Sequence, residues 1–355
     1  MKIAVIGSGF YGATLSLLLS KDHDVDLFEK EKNIFNGASS SNQFRFHSGY
    51  HYPRSQKTVN EISKSKKDFV SFFGKKIFDK TINYYPIAKN GKINFKDYLK
   101  FLKKNKLPYK QVDFLKSVSA IENSILTNEK ILNFFKTKKI FLSKIKNSNI
   151  KLFLKKEFKK EYLLKYDKVI IATYSNNNNV LFKLGIKKLN TYKYQLVEKI
   201  VIKLPKEYKK KSFVVIDGNF VCVDPYLGTN YHLLSDVKLS KLETIISKFP
   251  NFKSNKTKFL NKGIIRNIKF SKYQEFINRS SKYLPFLNKS KYIGSMFVVR
   301  ALKKNNEKTD ERTTSVYFHS KKILSIFSGK WNNCVYLAKN LKFYKNIKWQ
   351  KSVLD

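Results

Sequence analysis

Cysteine is almost missing from this chain. Two occur in 355 residues, Cys222 and Cys334, which leaves no disulfide framework and no metal-ligand spacing. A reducing, cytoplasmic setting fits that usage. Long apolar runs are missing too: no stretch approaches the roughly 18 residues of a membrane helix. The apolar start is broken by glycines and followed by an acidic strand, unlike a signal peptide. Acids are scarce, 26 against 72 basic residues, for a formal net charge of +46. Arginine is scarce as well: the six are Arg45, Arg54, Arg266, Arg279, Arg300 and Arg312.

The other 66 basic residues are lysine. They are spread along the whole chain, with no block, no helix-turn-helix and no interleaved stacking aromatics. A dedicated nucleic-acid surface would show such a pattern. Abundant Lys, Asn, Ile, Phe and Tyr is what AT-rich coding sequence produces, so the charge reads as a solvated lysine surface. It still favours the approach of anionic substrates. Against so many lysines the arginines carry information, because only their planar fork grips a carboxylate through two bonds.

What is present begins at once. Lys2 to Ile6 is an apolar strand, followed by Gly7-Ser8-Gly9-Phe10-Tyr11-Gly12, an apolar helix, and a second strand from Asp24 that ends at Glu29 and Lys30. This is the dinucleotide pattern G-x-G-x-x-G between strand and helix, with an acid about 20 residues on. Gly7 permits the tight turn, Gly9 lets backbone approach a pyrophosphate, and Gly12 lets helix and strand pack closely. A pyrophosphate sits at such a helix N-terminus, where free N–H groups and the dipole favour an anion. Glu29 is placed to accept ribose hydroxyls and to repel a 2′-phosphate, which argues against NADP.

Further along, Gly37 to Arg54 is a long connection rich in glycine, serine and aromatics. Helical periodicity covers Ser55 to Phe73 and Asn94 to Lys104, with a strand at Lys80 to Ala88. Asn149 to Lys155 and Tyr162 to Leu164 alternate like a hairpin. Lys168 to Thr173 is a continuous apolar run, as in a buried parallel strand. Long strands are expected at Tyr192 to Leu204, Ser212 to Val223 and Asn230 to Leu234, with turns at Asp217-Gly218 and Asp224-Pro225. Helices are expected at Leu239 to Phe249 and Tyr273 to Leu287, then a strand at Tyr292 to Ala301. A hairpin at Thr313 to His319 and Ile323 to Phe327 precedes a final helix from Trp331 to Phe343.

These elements predict an α/β chain with a Rossmann-like parallel-sheet domain and an inserted, mostly antiparallel substrate domain. The first is discontinuous, at 1–58, 115–185 and 290–355; the second takes 59–114 and 186–289. Chemistry concentrates in three places. His47 and His51 lie in one loop with Arg45, Tyr50 and Tyr52, after Ser41 and Asn42. Ala172, Thr173 and Tyr174 end the buried strand. Gly329, Lys330 and Trp331 form a late strand–glycine–helix turn, where a cation and a helix N-terminus stabilise developing negative charge.

Together these motifs resemble the D-amino-acid-oxidase-type FAD-dependent oxidoreductases, a family that includes glycine and sarcosine oxidases and 2-hydroxyglutarate dehydrogenase. The likeness is carried by Gly7, Gly9, Gly12 and Glu29, by Ser39…Asn42…His47-x-Gly49…Tyr52, by Ala172-Thr173 and by Ser328-Gly329-Lys330. His47 to Pro53 is most similar to the 2-hydroxyglutarate dehydrogenase branch. The resemblance covers about the first 55 residues and the last 60. It implies FAD: the ADP part on Gly7, Gly9, Gly12 and Glu29, with Ser8, Phe10, Tyr11 and Lys30 beside it. Ser41 and Asn42 are then expected near the pyrophosphate or flavin, His47 facing the ring, and Gly329-Lys330 at its pyrimidine edge. A histidine beside a flavin orients substrate, shuttles protons or carries a covalent link.

The expected activity is removal of a hydride from a C–H next to an amine or hydroxyl of a small anionic substrate. Electrons then pass to oxygen or a carrier. His47 or His51 takes the proton, Arg45 or Arg300 clamps a carboxylate, and Tyr50 and Tyr52 shape the pocket. A flavin enzyme acting on a nucleotide sugar is the second reading. An NAD-linked dehydrogenase leaves the late turn and the split architecture without a role. A basic, polyanion-associated protein with a residual nucleotide fold is the non-enzyme reading.

Overall fold

The strand Lys2–Ile6 is apolar throughout its interior because both of its faces are covered. In the computed structural model, which describes residues 1–113, 115–218, 221–304 and 311–341, Ala4 and Val5 are fully buried. The strand lies inside a six-stranded sheet in the order Ser315–Phe318, Ile323–Phe327, Lys168–Ile171, Lys2–Ile6, Asp24–Phe28, Lys151–Phe153. Every pairing is parallel except that of Ser315–Phe318, which folds back on its neighbour. One face carries helices Phe10–Leu19, Phe134–Lys146 and Cys334–Leu341. On the other, Phe28 packs against Phe158, Tyr162 and Tyr166.

A nine-stranded, mostly antiparallel sheet stands over the C-terminal ends of those strands. Tyr192–Lys203 is its long central member and pairs with Lys241–Ser247, Tyr231–Asp236 and Lys291–Lys303. From Tyr231–Asp236 the order continues through Val221–Tyr226, Lys211–Val214, Ile82–Ala88 and Ile121–Thr127 to Tyr109–Val112. A small sheet of Arg45–Phe46, Lys130–Leu132 and Phe78–Asp79 joins the two halves. The chain is therefore α/β, with a parallel nucleotide-type sheet and an antiparallel sheet above it.

Sheet membership redraws the expected division of the chain. Helix Gln56–Phe73, expected with the substrate domain, buries Phe69 and Phe73 in the core of the parallel-sheet half. Ile121–Thr127 and Lys291–Lys303, expected in the other half, belong to the antiparallel sheet.

Several elements differ from expectation. The helix expected at Leu239 to Phe249 is the strand Lys241–Ser247, because Thr244-Ile245-Ile246 is β-branched and alternates against Tyr192–Lys203. Lys151–Phe153 pairs parallel with Asp24–Phe28, and Tyr162 lies in the 3₁₀ turn Lys160–Lys165, so no hairpin forms there. Ser212 to Val223 is two strands, with 219–220 outside the described residues. Asp224-Pro225 lies inside Val221–Tyr226, and the turn comes after it, at Gly228 with φ +91°. The helix Tyr273–Ser280 stops early, and a 3₁₀ turn, Pro285–Lys289, follows. Trp331–Asn333 is 3₁₀ before Cys334–Leu341, and the expected helix end at Lys342-Phe343 lies outside the described residues.

One buried ionic network ties the two sheets together. The Arg45 guanidinium, 2% exposed, pairs with Glu129 and, at 3.0 Å, with Asp224 of the antiparallel sheet. It also donates to the Tyr85 hydroxyl and to Ser212 Oγ. Glu129 accepts from the Ser48 N–H at 2.9 Å and from the Tyr85 hydroxyl. Removing one partner of such a set leaves buried charge uncompensated, at a cost of about 3–5 kcal/mol. Arg45→Leu is expected to lower the unfolding free energy by that order, read as a fall in the urea midpoint at unchanged slope. Arg45→Lys will not restore it, since a point charge cannot span both carboxylates. An unchanged midpoint in Arg45→Leu would contradict the assignment.

Candidate active site

The glycine turn is built as its spacing requires. Gly7 has φ +96°, open to glycine at no steric cost, and a Cβ there would lie 2.9 Å from the Ala172 carbonyl oxygen. A Cβ on Gly12 would lie 1.7 Å from the Gly7 oxygen, so only glycine lets the helix lie this close to the strand. Gly9 precedes the helix Phe10–Leu19, and the Phe10 N–H donates to Ser39 Oγ at 3.2 Å. Glu29 sits at the end of the second strand. One of its oxygens accepts from the Ser8 N–H at 2.9 Å and the Ser8 hydroxyl at 2.6 Å; the other accepts from the Glu31 N–H at 3.0 Å. The carboxylate is thereby fixed at the cleft wall.

That wall belongs to one cleft of about 860 Å³, which runs from the glycine turn and Glu29 past Ser41, Asn42 and Thr173 to His47, His51, Tyr52 and Lys330. Lys30, Ala172, Tyr174, Gly329 and Trp331 also border it. So three segments far apart in sequence meet along one cavity. Asn42 has a local role: its side chain accepts from the Phe44 N–H at 2.7 Å and donates to the Ala38 and Ser39 carbonyls, which shapes the loop. Ser41 Oγ is buried with no protein partner. The Tyr174 hydroxyl exchanges bonds with the Ala301 backbone, joining the nucleotide half to the antiparallel sheet. Trp331 stacks on Phe10 and packs against Phe46 and Phe69, so its ring is largely core.

At the far end, His47, His51 and Tyr52 form a triangle of rings with centroids 5.3–5.5 Å apart. Lys330 Nζ stands 4.2 Å from the centroid of the Tyr52 ring. Its backbone is held by Tyr11, whose hydroxyl donates to the Lys330 carbonyl at 2.7 Å. His47 Nδ1 lies 3.5 Å from Glu129 Oε1, too long for a good hydrogen bond but close enough for charge coupling. Burial and the nearby Lys330 charge outweigh Glu129 and lower the His47 pKa to about 4; burial and His47 push His51 well down as well. Both imidazoles are neutral near pH 7 and able to take a proton. Burial lowers Lys330 to about 7.

Two expected roles do not survive. Arg45 cannot clamp a substrate, because its guanidinium is committed to Glu129 and Asp224. Tyr50 does not shape the cavity: its ring sits in a separate core with Tyr85, and its hydroxyl donates to the Pro108 carbonyl. Arg300 does border the cleft, with Nε and Nη2 both donating to Gln195 Oε1, at 2.8 and 2.6 Å. Sequence reasoning missed Glu129, which has no local signal. It also missed Lys199, which had one: a charged residue inside the apolar alternation of Tyr192–Lys203.

No protein-family model matches the chain. The FAD-dependent monooxygenase kojA of Aspergillus flavus is 25% identical over 372 residues, which covers 96% of this chain and 85% of that one. Glycine oxidase from Geobacillus kaustophilus superposes with a TM-score of 0.70 at 12% identity, over 99% of this chain and 96% of the other. This chain has the fold of glycine oxidase. L-α-glycerophosphate oxidase from Mycoplasma pneumoniae, solved with FAD bound, shares the fold at a TM-score of 0.70 and 12% identity, over 99% and 96% of the two chains. Among the described residues no helix is long and apolar enough to cross a membrane, and no cluster suited to a metal ion occurs.

Lys330 gives this end of the cleft a titration that stability measurements can read. A folded-state pKa of about 7 lies below the ordinary lysine value. Between the two the unfolded chain holds more protons than the folded one, so stability contributed by this group rises with pH across that window. Ligand-free Lys330→Met is expected to gain stability over wild type below pH about 7 and to lose that advantage progressively above it. The difference in urea midpoint between the two proteins measures it; a pH-independent difference would refute the buried, unpaired lysine.

Proposed function

We propose that this chain is an FAD-dependent oxidoreductase that removes a hydride from a C–H bearing an amine or hydroxyl in a small substrate. The observation that carries the reading is the single cleft joining a dinucleotide turn at one end to an unpaired lysine and two neutral imidazoles at the other. The residues fit the cofactor. The glycine cradle would be blocked by a Cβ on Gly12, Ser41 Oγ is buried and unpartnered, and Glu29 is fixed where an adenosine ribose is expected. The dinucleotide-binding residues are then Gly7, Ser8, Gly9, Phe10, Tyr11, Gly12, Glu29 and Lys30, with Ser41, Ala172, Thr173 and Tyr174 further along. Gly329, Lys330 and Trp331 take the isoalloxazine end. When bound, the flavin accepts the hydride.

The chain's own groups do the rest. A neutral His47 or His51 takes the proton from the substrate hydroxyl or amine at an open imidazole nitrogen. Glu129 couples to His47 and holds that ring between the loop and the Arg45 network. Tyr52 bounds the reacting space, and the Lys330 ammonium stabilises negative charge that grows on reduction. Electrons leave to oxygen or a carrier, and a cytoplasmic location accords with the cysteine usage. A flavin enzyme acting on nucleotide sugars would leave the paired neutral imidazoles without a task.

Anaerobic mixing of the FAD-loaded protein with small 2-amino and 2-hydroxy acids tests this reading. At least one is expected to bleach the flavin absorbance with no other reductant present. Bleaching only by an added nicotinamide reductant, with none by substrate, would overturn the proposal.

A further inference from the structure

The antiparallel sheet presents a cation to the cleft that no carboxylate among the described residues pairs with. Lys199 lies on Tyr192–Lys203, is 9% exposed and borders the cavity. Its register partner on one side is Met296. On the other side the ladder ends at Ile200–Leu234, and Ser235, next along that strand, is paired with Cys222 on the following one. Lys199, Ser235 and Cys222 lie on three successive strands, and all border the cleft.

Only one of the ammonium's three donors is used, toward Ser235 Oγ at 3.1 Å. The carboxylates that might have matched its charge are engaged elsewhere. Asp224 is held by Arg45, Ser212 and the Cys222 thiol, and Asp236 is paired with Arg279. A buried ammonium without an anion is costly, and burial lowers the Lys199 pKa to about 8. Two open donors on a buried cation, facing a cavity, suit a carboxylate held as a counter-charge by charge-assisted hydrogen bonds. The position is separate from Lys330, which rises from the opposite half of the molecule beside Tyr52. It also differs from Arg300, whose register partner is Gln195, four residues or about 13 Å along the strand from Lys199.

We propose that Lys199, backed by the Ser235 hydroxyl, is the subsite for the substrate's anionic group, and that this group is a carboxylate. The proposal rests on the cleft being the oxidoreductase site described above. It moves the anion clamp from the arginines to a lysine on the roof of the cavity and makes Lys199 a specificity residue.

Calorimetric titration of the FAD-loaded full chain with propionate, propionamide and inorganic phosphate tests it. Propionate is expected to bind, propionamide to show no measurable binding, and phosphate to bind at least about tenfold more weakly than propionate. Lys199→Met is expected to weaken propionate at least about tenfold, while Lys199→Arg stays near wild type. Steady-state turnover with any substrate that bleaches the flavin should show Lys199→Met raising KM far more than it lowers kcat. Equal propionate affinity in Lys199→Met, binding of propionamide as tight as propionate, or tighter binding of phosphate would overturn the subsite. Thermal melts of both variants confirm folding. Failure of every acid to bleach the flavin, with propionate binding still dependent on Lys199, would instead overturn the oxidoreductase reading and leave the anion site standing.

Discussion

The histidine loop at the chemical end of the cleft is held in place by one buried arginine. Arg45 reaches Glu129 beside the small joining sheet and Asp224 in the antiparallel sheet, and is itself carried on the loop that leaves the nucleotide turn. A guanidinium has the reach and the fork to bridge two carboxylates at once. Glu129 in turn receives the Ser48 N–H and faces His47. The network therefore fixes the histidine loop relative to both sheets, and charged and hydrogen-bonding partners hold Arg45 above and Glu129 below their ordinary titration ranges in spite of burial. The cost of burying three charges is offset only when each has its partners, which makes this joint rigid in a way that apolar packing alone would not.

Around that joint the cleft is electrostatically divided. At the nucleotide end the anion-attracting feature is backbone, the N-terminus of the helix Phe10–Leu19, while the fixed Glu29 carboxylate repels anions and accepts hydrogen bonds. At the other end the cations are side chains with depressed basicity, Lys330 beside Tyr52 and Lys199 on the antiparallel sheet, and the two imidazoles next to Tyr52 are neutral. A dinucleotide stretched from one end to the other would meet only groups suited to it. The surface lysines play no part in this division, which is why the net charge of +46 says little about what the cleft accepts.

Much of this was legible in the amino-acid order, and the exceptions share a cause. The glycine turn, Glu29, Ala172-Thr173 and Gly329-Lys330 were readable because each depends on local backbone geometry. His47 and His51 were readable because histidine is rare here. Arg45 was misassigned because its carboxylates, Glu129 and Asp224, lie 84 and 179 residues away, and nothing local announces them. Tyr50 sits beside His51 in sequence, yet it points into a different core. The strand Lys241–Ser247 reads as a helix in sequence because its β-branched residues alternate over too short a stretch, and pairing with Tyr192–Lys203 decides it. Lys199 was visible only as a charge inside a strand whose partners were not yet known.

The central claim is that one cleft holds one dinucleotide along its whole length. Titration of the flavin-free protein with FAD and with FMN, followed by flavin fluorescence, tests it most directly. The account predicts one FAD per chain and FMN binding at least about a hundredfold weaker, because FMN forgoes the glycine turn and Glu29. Equal affinity for the two, or no binding of FAD, would contradict it.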